Sequence, residues 1–457
     1  MSVFNGQRLN KAVFKIDAVR MRAGWYTDAY FSNIAQILET LSREKYTFAG
    51  ESDLCDIDCS HIKNGDIIVE MQFFTRRRPV TLVAGVDEAL ALLEECTGYF
   101  QEDGQFVNTF HQLEIEAVHD GTFAAYAGNP LAVQPVLKVR GRYRDFARLE
   151  TPILGVLTEA SRVATNVYNV LVAANGKNVL FFPARFAHYK LQALHGYAYS
   201  IAVQAYNHTF GKTSSPSVST DDQGEWWGGK GGGTIAHASI ASFLGDTAET
   251  MMQFARIMPV DIPRIVLVDF HNDCVGDTLK VMQKMFAEFW RLQTSGQIEE
   301  ANKYRLYGVR TDTSGNMKDA SIVPLGDEKL DMGVNPRLVW NMRNAIDSAY
   351  VHWDVPVDTI EAARTWCKDI KIVVTGGFDV EKIRRFERHG VPVDIYGVGS
   401  SLLENSDKTS NDFTADIVRV NLAGDNWRGE AGSRQWHGIA KVGRGVGHNP
   451  NLKPLVR

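Results

Sequence analysis

Between residues 151 and 405 short apolar segments alternate with longer helical stretches, and this rhythm constrains the fold more than any other feature of the chain. Segments 178–183, 264–269, 306–311, 370–375 and 393–398 read as strands, and helical patterns at 277–292, 335–347 and 380–389 follow three of them. A strand that repeatedly leads into a helix builds a parallel sheet through crossover units. Five such strands in about 250 residues favour a (β/α) barrel, complete or irregular, over an open doubly wound sheet. No dinucleotide fingerprint follows the first strand, which supports the barrel. The expected fold class is therefore α/β, an irregular (β/α) barrel joined to an N-terminal α+β domain.

That first domain, 1–150, carries β-rich runs at 67–74 and 113–118, with a helix at 86–96 between them. Ahead of these, Thr27 and Asp28 can cap a helix at 30–41, where Ile34, Ile37, Leu38 and Leu41 recur at helical spacing. The barrel is assigned to 151–405. The remaining 406–457, rich in glycine and basic residues toward its end, is expected to pack back on the N-terminal domain or on a partner subunit.

Composition narrows the partners. A net charge of −5 argues against a general nucleic-acid binder, and the run Arg76-Arg77-Arg78 reads as a solvated strand end. The cysteines at 55, 59, 96, 274 and 367 lack the paired spacing of a disulfide framework or a four-ligand zinc site, which fits a reducing compartment. No apolar run reaches the roughly 20 residues that span a bilayer, so no membrane association and a cytoplasmic location are expected.

The chemistry collects at strand ends, which share one rim of a parallel barrel. Arg185 follows the first of these strands, Asp269 ends the second, Arg310 and Asp312 bracket the end of the third, Gly376-Gly377 follow the fourth, and Gly397-Val398-Gly399-Ser400 close the fifth. Glycine turns there can present backbone amides to a phosphate, although Asp379 and Ser400 also suit plain helix caps. A second glycine-rich run, Gly231-Gly232-Gly233, precedes His237 and an apolar helical stretch. It suggests converging amides and an imidazole able to bind, relay or accept a phosphoryl group; a flexible loop beside an ordinary helix-start histidine is the plainer alternative. The polar segment 210–233, with Trp226-Trp227, reads as a mobile loop leading into the His237 region.

Several motifs, in order, resemble nicotinate phosphoribosyltransferase. They are Tyr26-Thr27-Asp28-Ala29-Tyr30, Leu149-Glu150-Thr151-Pro152-Ile153-Leu154-Gly155, Gly233-Thr234-Ile235-Ala236-His237, Val309-Arg310-Thr311-Asp312 and the two glycine-bearing strand ends. The resemblance implies a type II phosphoribosyltransferase, dimeric, that joins nicotinate to phosphoribosyl pyrophosphate with Mg2+ and ATP, through a phosphorylated histidine matched by His237. It also implies roles. Tyr30 from one subunit and Phe182 from the other would sandwich the pyridine ring, Arg185 would meet its carboxylate or the phosphates, and Thr234 and Asp269 would contact substrate. Arg310 and Asp312 would bind pyrophosphate and ribose hydroxyls, and Gly376, Gly377, Gly397, Gly399 and Ser400 the 5′-phosphate. The stretch 200–207 departs from the glycine-rich segment that such enzymes carry before the histidine, which leaves nicotinamide or another pyridine, or a non-catalytic binding homologue, as alternatives.

Overall fold

The structure, a computed structural model, describes residues 4–433 and 435–455. Two compact units share the chain. The first takes in the chain up to Asn166, then Tyr197–Ala205, and then the chain from Glu404 on; the second takes in Val167–Gly196 and Tyr206–Leu403. The first unit continues past residue 150 into a 24-residue helix, Glu150–Ala173.

In the first unit six strands form an antiparallel sheet in the order Trp436–Gly438, Phe413–Asn421, Ile68–Thr75, Leu137–Arg142, Glu114–Ala117, Lys453–Pro454. The C-terminal segment therefore contributes three of these strands, and Phe413–Asn421 pairs along the whole of Ile68–Thr75. Val69, Met71 and Phe73, at every second position, enter an apolar core with Leu90, Leu93 and Leu137. Each such side chain removed from water is worth about 1.5–3 kcal/mol. The opposite face of the same strand is buried and polar. Burial drives the Glu70 carboxyl upward, but hydrogen bonds from Arg419 and Arg140 outweigh it and hold the group below its ordinary value. Gln72 accepts from the Gly447 amide and donates to the Gly445 carbonyl, fastening the tail to the sheet.

Arg77 departs from the sequence expectation. It is 8% exposed and donates to Asn411 at 3.2 Å and Asn166 at 2.8 Å, a buried guanidinium and not a solvated strand end. Burial lowers its pKa to about 10.

The second unit holds five parallel strands in the order Asn178–Phe181, Ile395–Val398, Lys371–Val374, Gly308–Thr311, Ile265–Leu267. All five are the segments expected from sequence, each shortened at one or both ends. The parallel arrangement holds, but among the described residues the sheet does not close into a barrel. Closure takes about eight tilted strands, and here five strands of three or four residues leave Asn178–Phe181 and Ile265–Leu267 as edges. Isolated bridges from Phe181 to Val218 and from Val218 to Gly231 extend the first edge. Val266, Val309, Ile372, Val373 and Val374 are completely buried, as expected for strands of a sheet covered on both faces. Helices Cys274–Thr294, Pro336–Ser348 and Val380–Arg388 follow three of the strands, and each is capped by a side chain, Asp273, Asn335 or Asp379. No helix of the described residues is long and apolar enough to cross a membrane.

Candidate active site

A cavity of about 330 Å3 opens at the carboxyl ends of the parallel strands. Parallel order makes this inevitable: strands that all run one way deliver their C-terminal residues to one edge. Phe182 and Arg185 arrive from the first strand, Arg310 and Asp312 from the third, Gly376 and Gly377 from the fourth, and Gly397, Gly399 and Ser400 from the fifth, with His237 from the connecting segment. Thr234 is not part of the lining, though the next residue, Ile235, offers its carbonyl to Arg310 at 3.1 Å. Asp269 reaches the site through His237. Tyr30 belongs to the other unit, where it stands in the first turn of the helix Ala29–Arg43, is 61% exposed and donates to Asp28 at 3.0 Å.

The glycines at the rim are there for stated reasons. Gly376 and Gly377 have φ of +92° and +66°, a left-handed turn that side chains with a Cβ resist. Their N–H groups enter no loop, turn or side-chain hydrogen bond among the described residues, so they are available to an anion. Gly397 serves close approach: a Cβ there would lie 2.5 Å from Thr375 Cγ2 and 3.1 Å from the Phe182 ring. Its absence leaves room for the Phe182 ring at the cavity wall.

Electrostatics centre on three groups. His237 Nε2 lies 3.1 Å from both carboxylate oxygens of Asp269. A carboxylate only accepts, so Nε2 is the donor, and in the neutral ring this leaves the lone pair on Nδ1. Burial raises the Asp269 pKa, as does the nearby Asp312, while His237 pulls it back. Burial lowers Arg310, against the attraction of Asp312 and Asp269 and with the repulsion of Arg185. Two arginines and a histidine thus face one cavity whose lining holds one carboxylate, Asp312, its Oδ2 4.0 Å from Arg310 Nη1, while Asp269 stands behind His237. Such a wall suits a ligand carrying several negative charges.

The run Gly231-Gly232-Gly233 does not form the anion cradle expected of it. Gly231 N–H donates to Asp221 at 2.9 Å and Gly232 N–H to the Val218 carbonyl at 2.8 Å, and none of the three glycines lines the cavity. Sequence reasoning also missed Ser219, which does line it. Gln223 fixes that residue, its Oε1 accepting from the Ser219 amide at 3.0 Å, the Ser219 hydroxyl at 3.1 Å and the Thr220 amide at 3.2 Å. A buried glutamine inside a polar segment gives no periodic signal. Phe186, beside Arg185, is a second residue of the wall that no pattern marked.

Residues 56–161 match the family model described as quinolinate phosphoribosyl transferase, N-terminal domain. The structure is similar to nicotinate-nucleotide pyrophosphorylase from Pyrococcus furiosus, with a TM-score of 0.60 and 22% identity over 96% of this chain and 85% of that one. It is also similar to human nicotinic acid phosphoribosyltransferase, with a TM-score of 0.51 and 17% identity over 86% of this chain and 74% of that one. At these identities the likeness is one of fold.

Proposed function

We propose that this chain, which carries the N-terminal domain of the quinolinate phosphoribosyltransferase family over residues 56–161 on a type II phosphoribosyltransferase fold, is a nicotinate phosphoribosyltransferase of NAD salvage. The observation that carries the reading is the convergence of His237, Arg310, Asp312 and the glycine turns of two strand ends on one cavity.

The reaction is a displacement at the anomeric carbon of phosphoribosyl pyrophosphate. The pyridine nitrogen lone pair forms the new C–N bond, the C–O bond to pyrophosphate breaks, and the electron pair leaves with pyrophosphate. No general base is needed, because the ring nitrogen carries no proton. The barrier lies in the oxocarbenium-like centre and the charge on the leaving group, and fixed donors aimed at that charge lower it. Arg310 and Arg185 neutralise the departing pyrophosphate, Asp312 holds ribose hydroxyls, and the Gly376–Gly377 and Gly399–Ser400 amides hold the 5′-phosphate. Phe182 stacks on the pyridine, and Tyr30 of the partner subunit covers its other face in a homodimer, converting binding into orientation.

Mg2+ fits this site as a cation carried by the substrate. Among the described residues no group of three or more His, Cys, Asp or Glu is arranged to hold a metal. The ion commonly sits on phosphates with one or two carboxylates and its own waters, and Asp312 is placed to supply one. When bound it neutralises pyrophosphate charge. His237 takes the γ-phosphoryl group of ATP: Nδ1 forms a bond to phosphorus as the bond to the β,γ-bridging oxygen breaks and ADP leaves. Water later removes the phosphoryl group. Asp269 keeps the proton on Nε2 so that Nδ1 stays nucleophilic.

A second acceptor, quinolinate, is favoured by the family matched at residues 56–161. Product formation with phosphoribosyl pyrophosphate and Mg2+ separates the readings when nicotinate, nicotinamide and quinolinate are offered with and without ATP. Nicotinate turnover raised by ATP, with the increment lost in His237→Ala, supports the first. Turnover of quinolinate alone, with release of carbon dioxide and no response to ATP, replaces it.

A further inference from the structure

Below the Gly376–Gly377 turn lies a cation that the reaction as described does not use. Lys382 stands in the first turn of the helix Val380–Arg388, its backbone N–H bonded to the capping Asp379 at 2.7 Å. Its ammonium turns back over the helix start, donates to the Gly376 carbonyl at 2.8 Å and lies 4.3 Å from the centre of the Phe378 ring. No carboxylate is within ion-pair distance of it among the described residues. The placement is unfavourable twice over. The positive end of a helix repels a cation, and the half-buried ammonium faces Arg385 on its own helix, with only Asp379 and, from the neighbouring strand end, Asp312 to offset it. Burial, assisted by Arg385, brings its pKa down to about 8.

We propose that Lys382 is the positioning residue of the phosphate cradle, holding the Gly376 carbonyl away from the cavity so that the following amide, Gly377 N–H, is presented to the ligand phosphate. In a trans peptide the C=O and the next N–H point in opposite directions, so anchoring one aims the other. The phosphate then supplies the negative charge that the ammonium lacks, and by linkage its binding favours the protonated lysine. This rests on reading the cavity as a phosphoribosyl site.

The test is calorimetric binding of phosphoribosyl pyrophosphate, and of ribose 5-phosphate, to the full chain between pH 7 and 9. Phosphate monoesters are already doubly charged across this window. For the wild type, affinity should fall as the pH rises through about 8 and Lys382 loses its proton. Lys382→Met should bind both ligands about 10- to 100-fold more weakly at pH 7, the range for a lost charge-assisted hydrogen bond, and its affinity should be flat across the window. Lys382→Gln, which keeps a donor for the Gly376 carbonyl without the charge, should recover part of the loss at pH 7 and stay flat. A Lys382→Met protein that melts as the wild type does and binds within twofold of it, or that keeps the pH dependence, overturns the proposal. A Lys382→Met protein that melts early shifts the decision to Lys382→Gln, for which a wild-type pH dependence is the overturning result. A wild type that binds neither ligand overturns the phosphoribosyl reading itself, and the proposal with it.

Discussion

Two histidine–aspartate pairs stand in the second unit, alike as pairs and different in everything around them. His237 Nε2 is 3.1 Å from Asp269, and His271 Nδ1 is 2.8 Å from Asp277. Both imidazoles are about half exposed, 49% and 47%, and both carboxylates are buried. Asp277, however, also accepts from Thr247 at 3.2 Å and lies 3.6 Å from Lys280, so that pair ties the helix Thr247–Ile257 to Cys274–Thr294. Asp269 has Asp312 as a neighbour, and His237 opens on the cavity with Arg310. A dyad is therefore not a function. His237 has arginines and open space beside it, whereas His271 stands beside two helices that Asp277 ties together.

The comparison can be broken experimentally, and the largest effect belongs to the shared cation. Arg310→Ala should lower kcat/KM for pyridine transfer by about 10²–10³-fold with or without ATP, as loss of a preorganised donor to developing charge does. Steady-state kinetics reads this directly. If the loss appears only with ATP, Arg310 serves the histidine and not the leaving group.

His237→Ala should abolish the ATP-dependent increment and spare basal transfer, while Asp269→Asn should cut the increment roughly tenfold or more, because an amide no longer dictates the tautomer. Acidification should mimic that loss. Burial raises the Asp269 pKa, so the group takes its proton at a pH above the ordinary carboxylate value and stops requiring the Nε2 proton. The ATP increment measured against pH should decline on the acid side in the wild type, with a smaller fractional decline in Asp269→Asn.

Gly397→Ala sharpens the contrast between acceptor and donor. A Cβ 2.5 Å from Thr375 Cγ2 and 3.1 Å from the Phe182 ring must displace that ring. The KM for the pyridine should rise about tenfold, the scale of a 1–3 kcal/mol overpacking, with KM for phosphoribosyl pyrophosphate little changed. The smallest effect falls on the structural pair. His271→Ala should leave turnover within about twofold and cost about 1 kcal/mol of stability, read by thermal melting, since Asp277 keeps Thr247 and Lys280. A loss of ATP stimulation in that variant would erase the distinction between the pairs.

Much of this was legible in the chain alone. Short apolar runs with their following helices gave the five parallel strands within a few residues, because strand and helix periods are local properties. The helix Val86–Cys96 was legible to the residue. Closure was not, since whether a sheet joins its own edges depends on strand number and tilt, which no local pattern records. The glycines split the same way. Gly376-Gly377 and Gly231-Gly232 look equivalent as dipeptides, yet the first pair keeps its amides open and the second gives them to Asp221 and Val218. Arg77 reads as part of a basic run and becomes a buried guanidinium only because Asn166 and Asn411, distant in sequence, fold beside it.

The sequence by itself determined which segments become strands, which ends of those strands carry arginine, aspartate and glycine, and that one histidine follows a glycine run. These are consequences of residue type and spacing. Only the tertiary structure decided which nitrogen of His237 is held, which glycine amides remain open to a phosphate, that Ser219 stands in the wall because Gln223 holds it, and that Lys382 lies under the turn with no carboxylate partner among the described residues. The reason is physical: a hydrogen bond or a shifted pKa depends on distance and on exclusion of water, and both are set by elements that meet only when the chain has folded.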